Sequence, residues 1–319
     1  MNQFFSILKD TFKDAVYTTF ILLKIMIPIS IMVKLLDEVG VVDTIGSALA
    51  PLMSIVGLPG KTGLIWATAM ITNIYGGLVV FVSTVSTYPF SVAQVTVLAT
   101  MILIAHSLPI EVSIARRTGV RIWFILFLRI GSAFLAGMIL SWFFSFLGLF
   151  QQPAEILWKP GAQDLSFSGW VLNQLQNYFL IFLIIFSLLG LMNLLRRLRV
   201  LDWINRRLEP GLEYLGMSKE AAPVTMIGLT LGISYGGGII IKDILSRRLS
   251  DKDAFLSVTL LSLSHSLIED TLLMVTIGAS LFGILFGRLV FTFGIMLCLL
   301  RLLSHLSIKQ FQWLYQRPY

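Results

Sequence analysis

Asn73-Ile74-Tyr75-Gly76-Gly77, followed by His106-Ser107-Leu108, decides the fold because the chain repeats it: Tyr235-Gly236-Gly237 is followed by His265-Ser266-Leu267. The two histidine motifs lie 159 residues apart and the two tyrosine motifs 160. The register also holds outside them, since Asp43 and Asp202, Pro51 and Pro210, Gly57 and Gly216, and Arg129 and Arg288 are all 159 apart. A period this long is not that of a short-repeat solenoid; it divides the chain into two copies, residues 1–150 and 169–319, joined by a linker over 151–168.

Composition places both copies in a bilayer. Of the 319 residues 56% are hydrophobic and 13% charged, with a mean hydropathy of +0.86, more apolar surface than a soluble domain of this size can hide. Apolar stretches suited to spanning helices run over 17–36, 91–109, 121–150, 170–195, 254–268 and 282–303. Strand-like alternation is missing, which argues against an outer-membrane barrel. The net charge of +7 comes from Lys and Arg beside apolar spans rather than from a basic domain, so no nucleic-acid partner is expected. Cys298 is the single cysteine and reads as packing. Lys9 and Lys13 before a long first apolar stretch read as an uncleaved signal anchor. No nucleotide-binding loop is present, so coupling to nucleotide hydrolysis would require another chain.

Charge asymmetry orients the copies. Between residues 35 and 61 the only basic residue is Lys61, whereas the equivalent stretch carries Arg196, Arg197, Arg199, Arg206, Arg207 and Lys219. Residues 83–91 are uncharged against Lys242, Arg247, Arg248 and Lys252; conversely Arg116, Arg117 and Arg121 face an uncharged 276–280. Each comparison reverses the side, which requires an odd number of crossings per copy and hence an inverted repeat. The segment 62–82 must then enter and return on one side as a re-entrant helical hairpin with its tip at 73–77. Residues 222–246 form its counterpart, tipped by Ser234-Tyr235-Gly236-Gly237-Gly238, where glycine tolerates positive φ and lets backbone approach a ligand. The expected fold is an all-α integral membrane protein of about six transmembrane helices plus two re-entrant hairpins. Both termini are expected in the cytoplasm and the linker outside.

The element after each hairpin carries the chemistry. Pro109 predicts a break in the span over 91–120, and the equivalent 252–281 carries the adjacent Glu269-Asp270, which must face a polar cavity. By the register Glu111 aligns with Asp270, and Glu269 falls opposite Ile110. Half-helix ends present partial charges that suit a polar or charged solute. His106, Glu111, His265, Glu269 and Asp270 admit three readings: a proton or sodium coupling site, a transition-metal site, or groups that satisfy one another and the exposed backbone. Arg129 and Arg288 either neutralise Glu111 and Asp270 or snorkel to the interface, the latter being preferred. Tyr75 and Tyr235 either stack on a planar substrate or pack on a neighbouring helix.

These hairpin tips and broken helices resemble the nucleoside recognition, or Gate, domain over roughly 17–147 and 170–305. That domain is shared by concentrative nucleoside transporters, the membrane part of ferrous-iron transporters and spore maturation proteins. The resemblance implies two Gate-like halves with substrate or ion contacts at Asn73, Tyr75, Gly76, Ser107, Glu111, Ser234, Tyr235, Gly236, Ser266 and Glu269. The chain departs from the pattern in having histidines at both breaks, no Gln/Glu-rich first hairpin and no attached GTPase domain. The expected function is a secondary transporter of a small polar solute, nucleoside-like or ionic, in the bacterial inner membrane. Its coupling ion would be H+ or Na+, with no other cofactor. A non-transporting assembly factor of the spore-maturation type and a divalent-metal permease are the alternatives; enzymatic activity is not expected, and a homo-oligomer is compatible with the sequence.

Overall fold

The most enclosed helices are the two that lead into the His-Ser-Leu motifs. In a computed structural model, which describes residues 2–85, 89–157, 166–232, 238–239, 241–244, 246 and 248–317, α5 (Val92–Ile104) and α11 (Asp251–Leu263) bury almost every side chain. Their sequences permit this because neither 92–104 nor 254–263 carries a charge; in α5 hydroxyls bond back into the helix, as Thr96 does to Val92 O (2.6 Å) and Thr100 to Thr96 O (2.8 Å), and in α11 Ser257 Oγ accepts from Thr225 Oγ1 (2.7 Å). Both begin with a serine cap: Ser91 Oγ accepts from Gln94 N (3.2 Å) and Ser250 Oγ from Asp253 N (3.1 Å).

Around this pair lie α1 (Asn2–Glu38), α2 (Val41–Ile55), α3 (Thr62–Ile71), α4 (Ile74–Val85), α6 (Leu108–Arg117) and α7 (Ile122–Leu147) from the first half. The second half supplies α8 (Phe167–Arg197), α9 (Val200–Tyr214), α10 (Ala221–Leu231), α12 (Glu269–Val275), a π-helical turn at Phe282–Gly287, α13 (Arg288–His305) and α14 (Ile308–Leu314). Among the described residues five helical segments are long and apolar enough to cross a bilayer: Leu8–Glu38, Val92–Arg117, Ile122–Leu147, Ser168–Arg197 and Phe282–His305. The sixth expected span falls on α11 and α12, which are short, charged and separated by a break. α7 shows how the outer spans are made. Ser132, Ala133, Ala136 and Gly137 form a small-residue stripe against α5, where a Cβ on Gly137 would stand 2.8 Å from Met101 Sδ. Phe127, Ile139, Trp142 and Phe146 on its other face are exposed, the surface a lipid phase would cover.

Side-chain and backbone bonds order the two ends of the bundle. One end gathers residues 90–93, 150–157 and 276–280: Ala93 N donates to Phe150 O (2.8 Å), Ala154 N to Phe90 O (2.9 Å) and Leu157 N to Thr276 O (3.0 Å). The other gathers 119–121, 249–253 and 314–317. There Arg121 N donates to Leu314 O (2.9 Å), Gln316 N to Gly119 O (2.8 Å), and Arg317 Nε to Asp251 Oδ1 (2.5 Å). α5–α6 therefore runs from the first end to the second, and α11–α12 runs the opposite way. α1 and α8 are antiparallel as well, because Ser30 Oγ meets Tyr178 OH at 2.5 Å while Asn193 Nδ2 donates to Thr11 Oγ1 at 3.0 Å.

The same backbone devices recur at the spacing of the sequence motifs. Left-handed φ angles occur at Gly40 (72°) and Arg199 (56°), Gly57 (68°) and Gly216 (75°), Ser107 (48°) and Ser266 (47°), and Gly119 (102°) and Gly278 (90°), each pair 159 apart. Two expectations need correction. The break after α5 is made by left-handed Ser107, and Pro109 lies in the first turn of α6, where a missing N–H costs nothing; the second break forms at Ser266 with no proline at all. Gly76 and Gly77 are not a loop with positive φ but the first turn of α4, capped by Asn73 Oδ1 accepting from Gly76 N (2.9 Å). Their lack of a Cβ serves packing: one on Gly77 would lie 2.7 Å from Ala69 Cβ, so α4 folds directly back onto α3. Ser234, Tyr235 and Gly236 lie outside the described residues.

Candidate functional site

The two breaks meet. Where α5 and α11 stop, their last carbonyls lose helical partners and must find others. His106 Nδ1 lies 2.9 Å from Ile102 O, and His265 Nδ1 lies 2.7 Å from Leu261 O. Both residues cap the helix they terminate, at equivalent positions. A carbonyl oxygen only accepts, so each Nδ1 carries a hydrogen, and the neutral form of either ring leaves Nε2 as a bare lone pair. The rings face one another with centroids 5.0 Å apart and the two Nε2 atoms 3.3 Å apart.

Glu111 closes the arrangement from the first turn of α6. Its Oε1 lies 3.2 Å from His106 Nε2 and 3.3 Å from His265 Nε2, and its Oε2 accepts from Arg129 Nη1. Arg129 is fully buried and also donates Nε to Ile104 O (2.9 Å), another orphaned carbonyl at the end of α5. The preference for snorkelling is therefore overturned for Arg129. From α7 the side chain points inward because the end of α5 supplies a carbonyl for Nε and the first turn of α6 a carboxylate for Nη1. Arg288 is just as buried, so it too stays away from the interface, but it meets Thr271 Oγ1 (3.3 Å), and its Nε and Nη1 have no hydrogen-bond partner among the described residues.

Asp270 brings a carboxylate oxygen to the same place: with the ring nitrogens of His106 and His265 it forms a group whose ligand atoms lie within 4.8 Å of one another. Glu269 beside it is half-buried, and the half-buried Tyr75 of α4 lies within electrostatic range of both acids. α3 and α10 are docked on the breaks by backbone: Ser107 N donates to Ala69 O (3.0 Å) and Leu267 N to Leu229 O (2.8 Å). Of the candidate residues, His106, Glu111, His265 and Asp270 converge on one point, with Tyr75 and Glu269 at its margin. Ser107 and Ser266 shape the breaks through their backbone, while Asn73 and Gly76 are engaged in capping and packing α4. Arg129 joins them: its pairing with Glu111 was the less favoured of its two readings, and the signal for it was its position 18 residues after Glu111, matched by Arg288 18 residues after Asp270.

Chemically the centre is acceptor-rich. Two imidazole Nε2 atoms and a carboxylate oxygen face one another at 3.2–3.3 Å, and with both rings neutral such a triad attracts a cation. The Arg129 guanidinium balances one carboxylate from behind without entering the triad.

A sequence model of Gate domains, described as nucleoside recognition, matches residues 178–294, which hold the second break and Arg288. The uncharacterized membrane protein YvoD of Bacillus subtilis (strain 168) is 30% identical over 275 residues, covering 85% of this chain and 86% of that protein. No solved structure matches the chain.

Proposed function

The chain belongs to the Gate, or nucleoside recognition, family of multi-pass membrane proteins, and on that premise we propose that it is a secondary, ion-coupled carrier of a small polar solute. The observation that carries this reading is the buried acceptor triad of His106, His265 and Glu111, built where two discontinuous helices stop in the middle of an apolar bundle. Polar groups at such depth are costly unless they serve a pathway, and broken helices at a repeat interface are how carriers make a central site. Tyr75 and Glu269 at the margin are the candidate solute contacts, and the triad is the candidate seat of the coupling cation.

The proposed topology is an inverted repeat of two Gate-like halves. In it α11–α12 is the sixth crossing and α3–α4 a re-entrant hairpin, while the tip of the counterpart expected at 222–246 lies outside the described residues. The opposed directions of α5–α6 and α11–α12 and of α1 and α8 support it. The end holding Arg116, Arg117, Arg121 and Arg317 is assigned to the cytoplasm of the bacterial inner membrane, with both termini there and the linker 151–168 outside. In a Cys298→Ser background, a cysteine placed at Ser47 should react with an impermeant reagent from outside intact cells, and one at Arg206 only after permeabilisation. The reverse pattern would sink the orientation.

Carrier function is read in proteoliposomes as solute-dependent proton, sodium or metal flux. Asp270→Asn and Glu111→Gln should each lower flux by at least about tenfold, the equivalent of ~1.4 kcal/mol of lost site free energy. Unchanged flux in both variants removes the coupling role.

A further inference from the structure

We infer that the central triad is a tetrahedral site for one divalent first-row transition-metal ion, with His106 Nε2, His265 Nε2 and Glu111 Oε1 as ligands and Asp270 as the fourth. The inference rests on the reading of this centre as a cation site and names the class of cation.

Four observations carry it. The three ligand atoms form a nearly equilateral triangle with edges of 3.2, 3.3 and 3.3 Å. In a regular tetrahedron the edge is about 1.6 times the distance to the centre, so an ion capping this triangle stands about 2.0 Å from each atom, the length of zinc–nitrogen and zinc–carboxylate bonds. Both rings already make the outer bond that orients a metal-ligating histidine, Nδ1–H to a backbone carbonyl, at Ile102 O and Leu261 O. The second oxygen of Glu111 is held by Arg129, which fixes the carboxylate and leaves Oε1 directed at the imidazoles. Finally, an Asp270 oxygen lies within 4.8 Å of both ring nitrogens, close enough to complete four-coordination by a small movement of α12.

The donor set also selects. Two imidazole nitrogens disfavour sodium, magnesium and calcium, which take oxygen ligands, and favour zinc, cobalt or iron in the divalent state. The repeat makes the symmetry of the site intelligible: one histidine and one carboxylate come from each half, so the ion would bridge the halves across the plane where they meet.

The test uses the full chain without a polyhistidine tag, purified in detergent, washed with chelator and titrated with Co2+. The expected result is one Co2+ per chain, with the intense visible d–d absorption of a tetrahedral site, displaced by Zn2+ and untouched by excess Mg2+. His106→Gln and His265→Gln should each weaken binding by at least about tenfold, and Asp270→Asn should change the cobalt spectrum. Melting temperature without metal establishes that each variant is folded. A folded parent chain that retains no Co2+, or that binds it equally well with both histidines replaced, overturns the inference. Flux without metal binding would remove the metal and keep the carrier; metal binding without flux of any solute or ion would do the reverse.

Discussion

Arg129→Met is expected to destabilise the chelator-treated protein by about 3–5 kcal/mol, read as a fall in melting temperature in detergent and a matching fall in the denaturant midpoint. The side chain is fully buried, donates Nη1 to Glu111 Oε2, and donates Nε to Ile104 O at 2.9 Å. Methionine fills much of the same volume, so the loss does not come from a cavity. It comes from leaving a carboxylate, itself 5% exposed, and a helix-terminal carbonyl without their donor in a region water does not reach. The double variant Arg129→Met, Glu111→Gln separates this from a general effect of the site. With both charges removed, most of the stability should return, because a buried pair replaced as a unit is close to neutral. A single variant as stable as the parent would show that Glu111 is balanced by something other than Arg129.

That ion pair also marks how far the sequence could be read. The repeat register paired Glu111 with Asp270 and Arg129 with Arg288; in the structure both carboxylates reach the central histidines and both arginines are buried, but Arg129 pairs with Glu111 whereas Arg288 meets Thr271. The breaks were anticipated but attributed to the wrong residue. Proline is the visible helix breaker in one dimension, whereas the working element is a serine in left-handed conformation, and nothing in a lone serine announces that. The depth of Arg129 was hidden for a related reason. A cation two or three turns from a helix end reads the same whether it reaches outward to headgroups or inward to a carboxylate, and only the position of α6 against α7 decides. Gly76 and Gly77 were noticed for the right reason, the absence of a side chain, and given the wrong use, because close packing of α4 on α3 and positive φ leave the same letter in the sequence. The convergence of both histidines on Glu111 was legible only as composition. Their 3.3 Å approach depends on two helices that run in opposite directions ending at the same depth.

Arg288→Met is expected to leave the melting temperature unchanged or raise it, while lowering flux in proteoliposomes by at least about tenfold, or ~1.4 kcal/mol. Stability should not fall, because among the described residues Arg288 has only a 3.3 Å contact with Thr271 Oγ1 and keeps Nε and Nη1 buried without partners, each such group costing about 1–3 kcal/mol. An arginine so poorly satisfied is expensive in this conformation, and the first half shows a better-paired arrangement, in which only Nη2 of Arg129 lacks a partner among the described residues. Arg129 holds Glu111 and Ile104 O; the equivalent partners of Arg288 are Asp270 and Leu263 O. What separates the halves is the π-helical turn Phe282–Gly287 just before Arg288, where the equivalent residues of α7 are α-helical. Converting that turn to α-helix removes one residue of slack and rotates Arg288 by about 100° relative to what precedes it, which can re-aim the guanidinium. On the carrier reading, the opposite access state is the one in which the second half takes up the conformation of the first. In that state, on the proposed reading, Arg288 would close on Asp270 as Arg129 releases Glu111, with the cation still between the two halves. Methionine at 288 removes that second arrangement and spares this one. A variant with full flux would show that Arg288 has no part in the exchange, and one that melts well below the parent would show that its role is to hold this conformation.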